Sequence, residues 1–245
     1  MGSLHQIFHI NRGGMLSLLQ GLDAVSHNLA NLNTVGFKGS RSNFQEMLTH
    51  QLHGGSQIRS TQRLHSQGRL RETGNGLDAA IFGEGYYVIQ LPDGRTGYTR
   101  DGQFFLNSEQ QIVTSDGNRL EWQGTIPADA EDVHINPDGT VMVKQAEIWS
   151  QAGTIQLAVF PNPQGLIAHG RNLYLESEVS GEAQLGSPNV GPYGQLIGGS
   201  VEEANVDIAE EMSSLITMQR SFEMSLRSFQ QTDRMMSQII NVRRA

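Results

Sequence analysis

A regular spacing of apolar residues runs through the C-terminal part of the chain, from residue 205 to residue 245. The positions recur in alternating steps of four and three residues, and Gln219 and Asp233 are the polar interruptions. This spacing predicts a long helix that packs along a partner helix or folds onto its own domain. Asp207 and Glu210 are spaced as a capping box and predict the start of the helix. The apolar members of the stripe are Ile208, Met212, Leu215, Phe222, Leu226, Phe229, Met236 and Ile240.

A second stripe with the same spacing lies near the N-terminus. Its helix is expected to end at Gly36, which can adopt the left-handed conformation of a C-terminal cap. Each stripe is too narrow to form a hydrophobic core alone. Two arrangements therefore stay open. The helices pair with each other and with copies in neighbouring molecules, or they form a two-helix cap on a β domain. The members of the second stripe are Met15, Leu18, Leu22, Val25, Leu29 and Leu32.

Between the two helical stripes the pattern changes to short β-type runs. Four Asp-Gly pairs separate these runs, and Asp-Gly favours the positive φ angles of tight antiparallel hairpins. The pairs begin at Asp93, Asp101, Asp116 and Asp138. The expected strands are 68–71, 79–82, 86–91, 96–99, 103–106, 112–114, 133–135, 141–144, 155–160 and 173–176.

These signals predict an α+β fold, in which long N- and C-terminal helices pair as a coiled coil and an antiparallel β domain is inserted between them. The expected segments are an N-terminal helix (1–36), a connector with a short helix near 41–52 (37–65), a β-rich outer domain (66–197) and a C-terminal helical segment (198–245). A glycine- and proline-rich link, 186–199, is expected to lead from the β domain to the last helix.

Composition narrows the class of protein further. The chain has 245 residues, a net charge of −8 and no cysteine. The acidic balance argues against a nucleic-acid binder, and the lack of cysteine excludes disulfides and thiolate metal sites. No apolar run is long enough to span a membrane, and residues 1–12 lack the features of a cleaved signal peptide.

Candidate chemical groups are few. The four Asp-Gly aspartates are expected at turn tips, where an aspartate needs no catalytic explanation. His50 and His53 could share a helix face, but no further ligands stand nearby at a metal-site spacing. The aromatic residues Tyr86–Tyr87 and Tyr98 are expected in the β core. We therefore expect a protein that is not an enzyme, with no catalytic residue, no metal and no cofactor.

Several segments resemble the axial proteins of the bacterial flagellum, the family of rod, hook and hook-associated subunits. NLANLNTVGFK (28–38) is similar to the N-terminal family motif, and GSVEEANVDIAEEM with MQRSFE (199–212 and 218–223) is similar to the C-terminal one. RLHSQG (63–68), TGNGLDAAIFGEGYY (73–87) and YTRDGQF (98–104) agree as well. The chain resembles rod subunits of the distal type most, with the proximal type next. The stretch between Phe44 and Arg63 is shorter than is usual in distal-rod proteins, so that choice stays open.

The resemblance implies a structural subunit of the flagellar basal-body rod, which polymerises into a hollow helical tube and transmits torque to the hook. It also implies export by the flagellar type III apparatus and a location in the basal body, outside the cytoplasmic membrane. The implied partners are copies of the chain itself, other rod proteins and hook subunits, with ring proteins or cell wall around them. The stripe residues would form the assembly interface. The motif residues would form the helix end and its exit turn, with Phe37 as an anchor: Asn28, Asn31, Thr34, Gly36, Phe37 and Lys38.

Two other functions are alternatives to a rod subunit. One is a secreted β-domain binding module or adhesin whose helices only dimerise. The other is a wall-degrading hydrolase, which needs two carboxylates facing each other across a cleft, with Glu84 and Asp101 as the first candidates.

Overall fold

The computed structural model describes residues 2–46 and 56–244 of the chain. Within these residues the fold is α+β: a helix near each end of the chain, with antiparallel strands between them. The chain divides into two compact units. The helical unit comprises Met1–Asn31, Gly39–Leu64 and Val206–Ala245, and the β unit comprises Leu32–Lys38 and His65–Asn205.

The helical unit contains two helices and a β-hairpin among its described residues. Helix α1 spans Gly2–Ala30 and helix α2 spans Ile208–Arg244. Strands β1 (Ser40–Glu46) and β2 (Ser56–Arg63) pair antiparallel, with a register shift at Asn43/Phe44. The two helices pack along each other, and the hairpin packs against α1.

The prediction of a short helix near 41–52 is wrong for residues 41–46, because these residues belong to strand β1. The remaining residues, 47–52, lie outside the described part of the chain, as do His50 and His53. Strand β1 is stabilised by cross-strand hydrogen bonds to β2, and such a distant partner can override weak local helix propensity.

The boundaries of the helices agree only partly with the sequence-based expectations. Asp207 caps α2 as predicted, since its Oδ1 accepts hydrogen bonds from the backbone N–H groups of Ala209 (2.8 Å) and Glu210 (3.1 Å). The prediction that Gly36 ends the first helix is wrong. Helix α1 ends at Ala30, and a turn segment follows it. Gly36 does adopt the expected left-handed conformation, with φ +66°.

The β unit is built from short antiparallel strands and one 3-10 turn, Pro163–Gly165. In chain order the strands are β3 (Leu70–Glu72), β4 (Ala79–Phe82), β5 (Tyr86–Gln90), β6 (Thr96–Thr99), β7 (Phe104–Leu106), β8 (Ile112–Thr114), β9 (Arg119–Leu120), β10 (Trp122–Gly124), β11 (Asp132–Ile135), β12 (Thr140–Gln145), β13 (Ile148–Ile155), β14 (Leu157–Val159), β15 (Ile167–Gly170), β16 (Leu173–Leu175), β17 (Gln184–Gly186), β18 (Gln195–Gly198) and β19 (Ser200–Glu202).

These strands form two larger sheets and two strand pairs. The first sheet has the order β15-β16-β6-β5-β9-β8-β7, and β14 joins β5 to β17. The second has the order β10-β13-β12-β11, while β18 pairs with β4 and β19 with β3. The main core lies around Tyr87, Phe104 and Ile135. A second cluster packs Tyr86, Tyr98, Phe160 and Tyr174 edge to face.

Most strands expected from the pattern are present, but one Asp-Gly turn and the link to the last helix differ. Gly94, Gly117 and Gly139 have positive φ as predicted, whereas Gly102 is not among the positive-φ glycines. A Cβ at Gly102 would collide with the backbone oxygen of Ala79, so close approach requires this glycine. The link expected over 186–199 contains strand β18, which pairs with β4, and β19 precedes helix α2.

Candidate assembly site

Over residues 11–30, where its side chains are described, helix α1 presents a line of small and polar side chains, and not its leucines, as its most buried face. Ser17, Val25 and Asn28 are 2%, 6% and 3% exposed, and Gly21 is also buried. Of the predicted stripe, Val25 lies on this line, whereas Met15, Leu18, Leu22 and Leu29 are half-buried beside it. Leu32 is half-buried and belongs to the β unit. Small residues allow close approach of a neighbouring backbone, which the wider leucine stripe would prevent.

Helix α2 likewise turns a different face inward from the one expected. Among its described side chains, seven buried or half-buried positions recur in steps of four and three: Glu211, Leu215, Met218, Phe222, Ser225, Phe229 and Thr232. Ser214 and Ser221 are half-buried beside them. Leu215, Phe222 and Phe229 are shared with the predicted stripe. Ile208, Met212 and Leu226 are 52%, 47% and 36% exposed, and Gln219 and Asp233 are exposed with them. The side chains of Met236 and Ile240 lie outside the described residues. Relative to the predicted stripe, the inward face is therefore shifted by one position at every second step. Glu211, Met218, Ser225 and Thr232 take the places predicted for Met212, Gln219, Leu226 and Asp233.

Hydroxyl groups on α2 are satisfied within the helix itself. The hydroxyls of Thr217, Ser221, Ser225 and Thr232 each donate to the carbonyl oxygen four residues earlier, at 2.8 to 2.9 Å. Such bonds leave the hydroxyl without a need for a partner on another helix. On the inward line of α2, the hydroxyls of Ser225 and Thr232 are satisfied in this way.

Asn28 links three elements of the helical unit. Its Nδ2 donates to the backbone oxygen of Ser40 (2.9 Å) and to Oε1 of Glu211 (2.8 Å), and its Oδ1 accepts from the Ser40 backbone N–H (2.8 Å). The amide thus binds α1 to the start of strand β1 and to the first turns of α2. Burial raises the pKa of the Glu211 carboxyl, while the hydrogen bond from Asn28 opposes that shift. Asn28 is therefore a structural junction and not a solvent-exposed residue on the helix surface.

A buried ion cluster lies in the β unit, where three of the family-like segments meet. Lys38 Nζ lies 2.7 Å from Glu202 Oε1, and Arg100 Nη1 lies 3.5 Å from Glu202 Oε2. The side chains are 1%, 0% and 6% exposed. Glu202 Oε1 also accepts from the Gly68 backbone N–H at 2.7 Å. We call Lys38, Arg100 and Glu202 the ionic clasp.

The clasp holds together segments that are far apart in the sequence. Lys38 Nζ also donates to the Ser66 backbone oxygen (2.7 Å), and Asn205 Nδ2 donates to the same oxygen (2.9 Å). The Asn205 backbone N–H donates to the Phe37 oxygen (3.3 Å), and Phe37 is itself buried. The clasp and these bonds therefore hold residues 37–38, Ser66 and residues 202–205 together.

Gly36 is required at this place by close approach as well as by its left-handed backbone. Its N–H donates to the Glu202 backbone oxygen at 2.7 Å. A Cβ on Gly36 would lie 2.6 Å from the backbone nitrogen of Asp101 and 2.7 Å from the carbonyl carbon of Arg100. The left-handed conformation was expected from the sequence, whereas the packing against residues 100–101 was not.

Burial dominates the electrostatics of the clasp. It lowers the pKa of the Lys38 ammonium, and the Glu202 carboxylate opposes this shift. The Arg100 guanidinium also lies 5.1 Å from the centre of the Tyr86 ring, and its Nη2 donates to the Gly83 oxygen at 2.9 Å. Burial raises the pKa of the Tyr86 phenol far above its ordinary value. The Glu202 carboxylate thus faces two buried cations, and both Lys38 and Arg100 depend on it to balance their charge.

The remaining candidate residues have other roles. Asn31 Nδ2 donates to the His27 carbonyl oxygen four residues earlier (2.8 Å), and the Thr34 carbonyl oxygen accepts from the Phe37 backbone N–H (3.3 Å). Glu84 is exposed, whereas burial raises the pKa of Asp101 to about 6. Among the described residues, no group of three or more His, Cys, Asp or Glu could hold a metal ion. Sequence reasoning missed Arg100 and Glu202, although both lie inside segments that carried the resemblance.

No helix among the described residues is long and apolar enough to cross a membrane. Three family models match the chain. "Flagella basal body rod protein" matches residues 10–38, "Flagellar hook protein FlgE/F/G D1 domain" matches 80–143, and "Flagellar basal body rod FlgEFG protein C-terminal" matches 197–242. The ionic clasp takes one residue from each of these three regions.

Curated relatives extend the similarity to almost the whole chain. The flagellar basal-body rod protein FlgG of Caulobacter vibrioides is 39% identical, over 91% of this chain and 94% of its own length. FlgG of Bacillus subtilis is 36% identical, over 94% of this chain and 96% of its own length. The flagellar hook-basal body complex protein FlhP of Bacillus subtilis is 29% identical, over 92% and 95%.

The fold, the clasp and these matches define a class of structural protein, the axial subunits of the bacterial flagellum. The chain belongs to the family of flagellar basal-body rod proteins. It is a structural subunit of the rod and not an enzyme, which decides against the hydrolase and the adhesin. Family membership implies assembly with further copies and with other rod and hook proteins, at the flagellum.

Proposed function

We propose that this chain polymerises into a hollow helical tube that forms the distal part of the rod and transmits torque to the hook. In the tube, α1 and α2 pair as a coiled coil, and their outer faces contact neighbouring copies. The similarity to proteins named FlgG supports the distal type. The subunits act outside the cytoplasmic membrane, after export by the flagellar type III apparatus, and ring proteins or cell wall surround them.

One observation carries the assembly role of the helices. The inward line of α2 packs in the helical unit, and Ile208, Met212, Ile216 and Leu226 stay 36% to 52% exposed beside it. At 100° per residue these four side chains lie within about 80° of one another around the helix. We call them the α2 flank. Ile208, Met212 and Ile216 follow one another along the helix, and the exposed polar residues Gln219 and Glu223 separate them from Leu226. Exposed apolar side chains that share one helix face are typical of a protein interaction surface.

The polymer geometry follows from the type of contact. A head-to-tail contact that does not close on itself generates an open helical array. Ordering two long helices costs conformational entropy, and neighbours that cover the α2 flank offset this cost. The free energy gained per subunit therefore depends on the number of neighbours. This supports a subunit that becomes stable in place during growth of the tube.

The experiment replaces Met212→Asp and Leu226→Asp separately in the full chain. Each charge on the α2 flank would be buried by a neighbour, so both variants are expected to be absent from isolated basal bodies and to fail to restore motility. Gln231→Asp is the matched control, because Gln231 is exposed and lies well away from the flank around the helix. Circular dichroism of the purified variants checks that the fold is retained. Normal entry of both flank variants into basal bodies would contradict the assembly role.

A further inference from the structure

The hairpin that joins β12 to β13 has a backbone conformation that its residues do not favour. Ala146 and Glu147 form a two-residue turn with φ +46° and +70°. Positive φ at both positions is the geometry of a tight hairpin turn that usually contains Asn-Gly. A residue other than glycine is strained in this conformation, and such strain concentrates at functional sites.

The first half of strand β13 also has a free edge. Strand β10 pairs only with residues 153–155 of β13. Among the described residues, no strand pairs with the outer edge of residues 148–152, whose sequence IWSQA contains neither charge nor proline. Natural proteins usually protect such edges with charges, prolines or bulges. The register shift opposite Val141/Met142 leaves Ala152 without a partner on β12, so the part of the edge without such protection is residues 148–151. This part is open to pairing with another chain.

Two large apolar side chains stand at the same place. Ile148 is 70% exposed and Trp149 is 45% exposed. The one anionic group of the turn, Glu147, is neutralised by Lys144, with 3.2 Å between Oε1 and Nζ. We define the hairpin tip as residues 144–152. Tryptophan is enriched among the residues that dominate binding at protein interfaces.

We propose that the hairpin tip is a contact between copies of this chain in the rod, made by Ile148, Trp149 and the free edge of β13. Two observations select a second copy as the occupant. Each copy carries a net charge of −8, so copies repel each other and a contact between them favours a surface without net charge. The tip is such a surface.

The area of the tip supports the same occupant. The exposed parts of two large side chains amount to roughly 250 Å², since such a side chain offers about 150–250 Å² in all. A stable interface between two soluble proteins needs about 800 Å² on each partner. The tip is therefore too small to hold a separate soluble partner. It suffices as one of several contacts in an assembly, where the other contacts raise the effective concentration. This inference rests on the proposed rod function.

The test measures entry of the full chain into basal bodies. Ile148→Lys/Trp149→Lys and the milder Trp149→Ser are compared with Val179→Lys, which places a charge at a residue of the same unit that is 69% exposed. We expect at least a tenfold loss of incorporation for the double variant, a smaller loss for Trp149→Ser and less than a twofold loss for Val179→Lys. Thermal unfolding of the purified variants should match the unaltered chain, because the substituted side chains are exposed.

A photo-crosslinking amino acid at position 149 identifies the occupant directly. We expect a crosslinked product with the mass of two copies in isolated basal bodies. Crosslinking to a different protein, or normal incorporation of the double variant, would overturn the proposal. An equal loss with Val179→Lys would also overturn it, since the tip would then have no special role. If the unaltered chain itself does not enter basal bodies, the rod function is wrong and the tip contact falls with it.

Discussion

We predict that the Glu202 carboxylate of the ionic clasp is essential for the stability of the β unit. Glu202→Gln keeps an oxygen that can accept from Lys38 Nζ and from the Gly68 N–H, both at 2.7 Å in the native protein. The new amide nitrogen then replaces Oε2, the atom that faces Arg100 Nη1. Two buried cations are left without a carboxylate, and two donors face each other.

The expected cost is large compared with the stability of a typical domain. Removal of one partner from a buried ion pair costs about 3–5 kcal/mol, and whole domains are stable by about 5–15 kcal/mol. Glu202→Gln should therefore lower the free energy of unfolding of the β unit by roughly 3–5 kcal/mol. Lys38→Met should cost less, about 1–3 kcal/mol, because Glu202 and Arg100 remain as a balanced pair.

Urea unfolding of the full chain measures both values through tryptophan fluorescence, because Trp122 packs against the core of the β unit. Glu203→Gln is the matched control. Glu203 is the next residue and pairs with Arg71 at 3.0 Å, but the two side chains are 41% and 53% exposed. An exposed pair contributes at most about 1 kcal/mol. A loss of less than about 1 kcal/mol for Glu202→Gln would show that the clasp is not a stabilising element.

Further predictions concern the clasp surroundings and the helix junction. Asp101 has a folded-state pKa of about 6, raised by burial from 3.8. Between pH 4 and pH 6 the folded state therefore binds more protons at Asp101 than the unfolded state does. As the pH rises through this range, Asp101 lowers the free energy of unfolding by up to about 3 kcal/mol. Asp101→Asn should remove this dependence in urea titrations, and an unchanged pH profile would refute the assignment. Gly36→Ala should cost more than about 2 kcal/mol, because of strain and collision, whereas Gly94→Ala, with φ +82° and nothing within 4 Å, should cost only about 1 kcal/mol. Asn28→Leu should reduce the hydrogen-exchange protection of the first turns of α2, because Glu211 loses its donor; unchanged protection would contradict the junction.

The local features of this fold could be predicted from the sequence. The spacing of Leu215, Phe222 and Phe229 indicated a helix, and Asp207 marked its first turn. Positive φ angles were predicted for all four Asp-Gly turns and are confirmed at three of them. These features depend on residues that are close together in the chain, so composition and periodicity suffice to recognise them. The family-like motifs were likewise visible as short segments.

Only the tertiary structure decided which residues work together. It turned the inward face of α2 by one position at every second step, and Glu211 on that face accepts a hydrogen bond from Asn28 on α1. It also joined Lys38 to Glu202, which lies 164 positions further along the chain, and placed Gly36 against residues 100–101. A buried charge becomes favourable only when all its partners are in place, so neither half of the clasp is recognisable alone. The physical reason is that burial and pairing depend on segments that are distant in sequence.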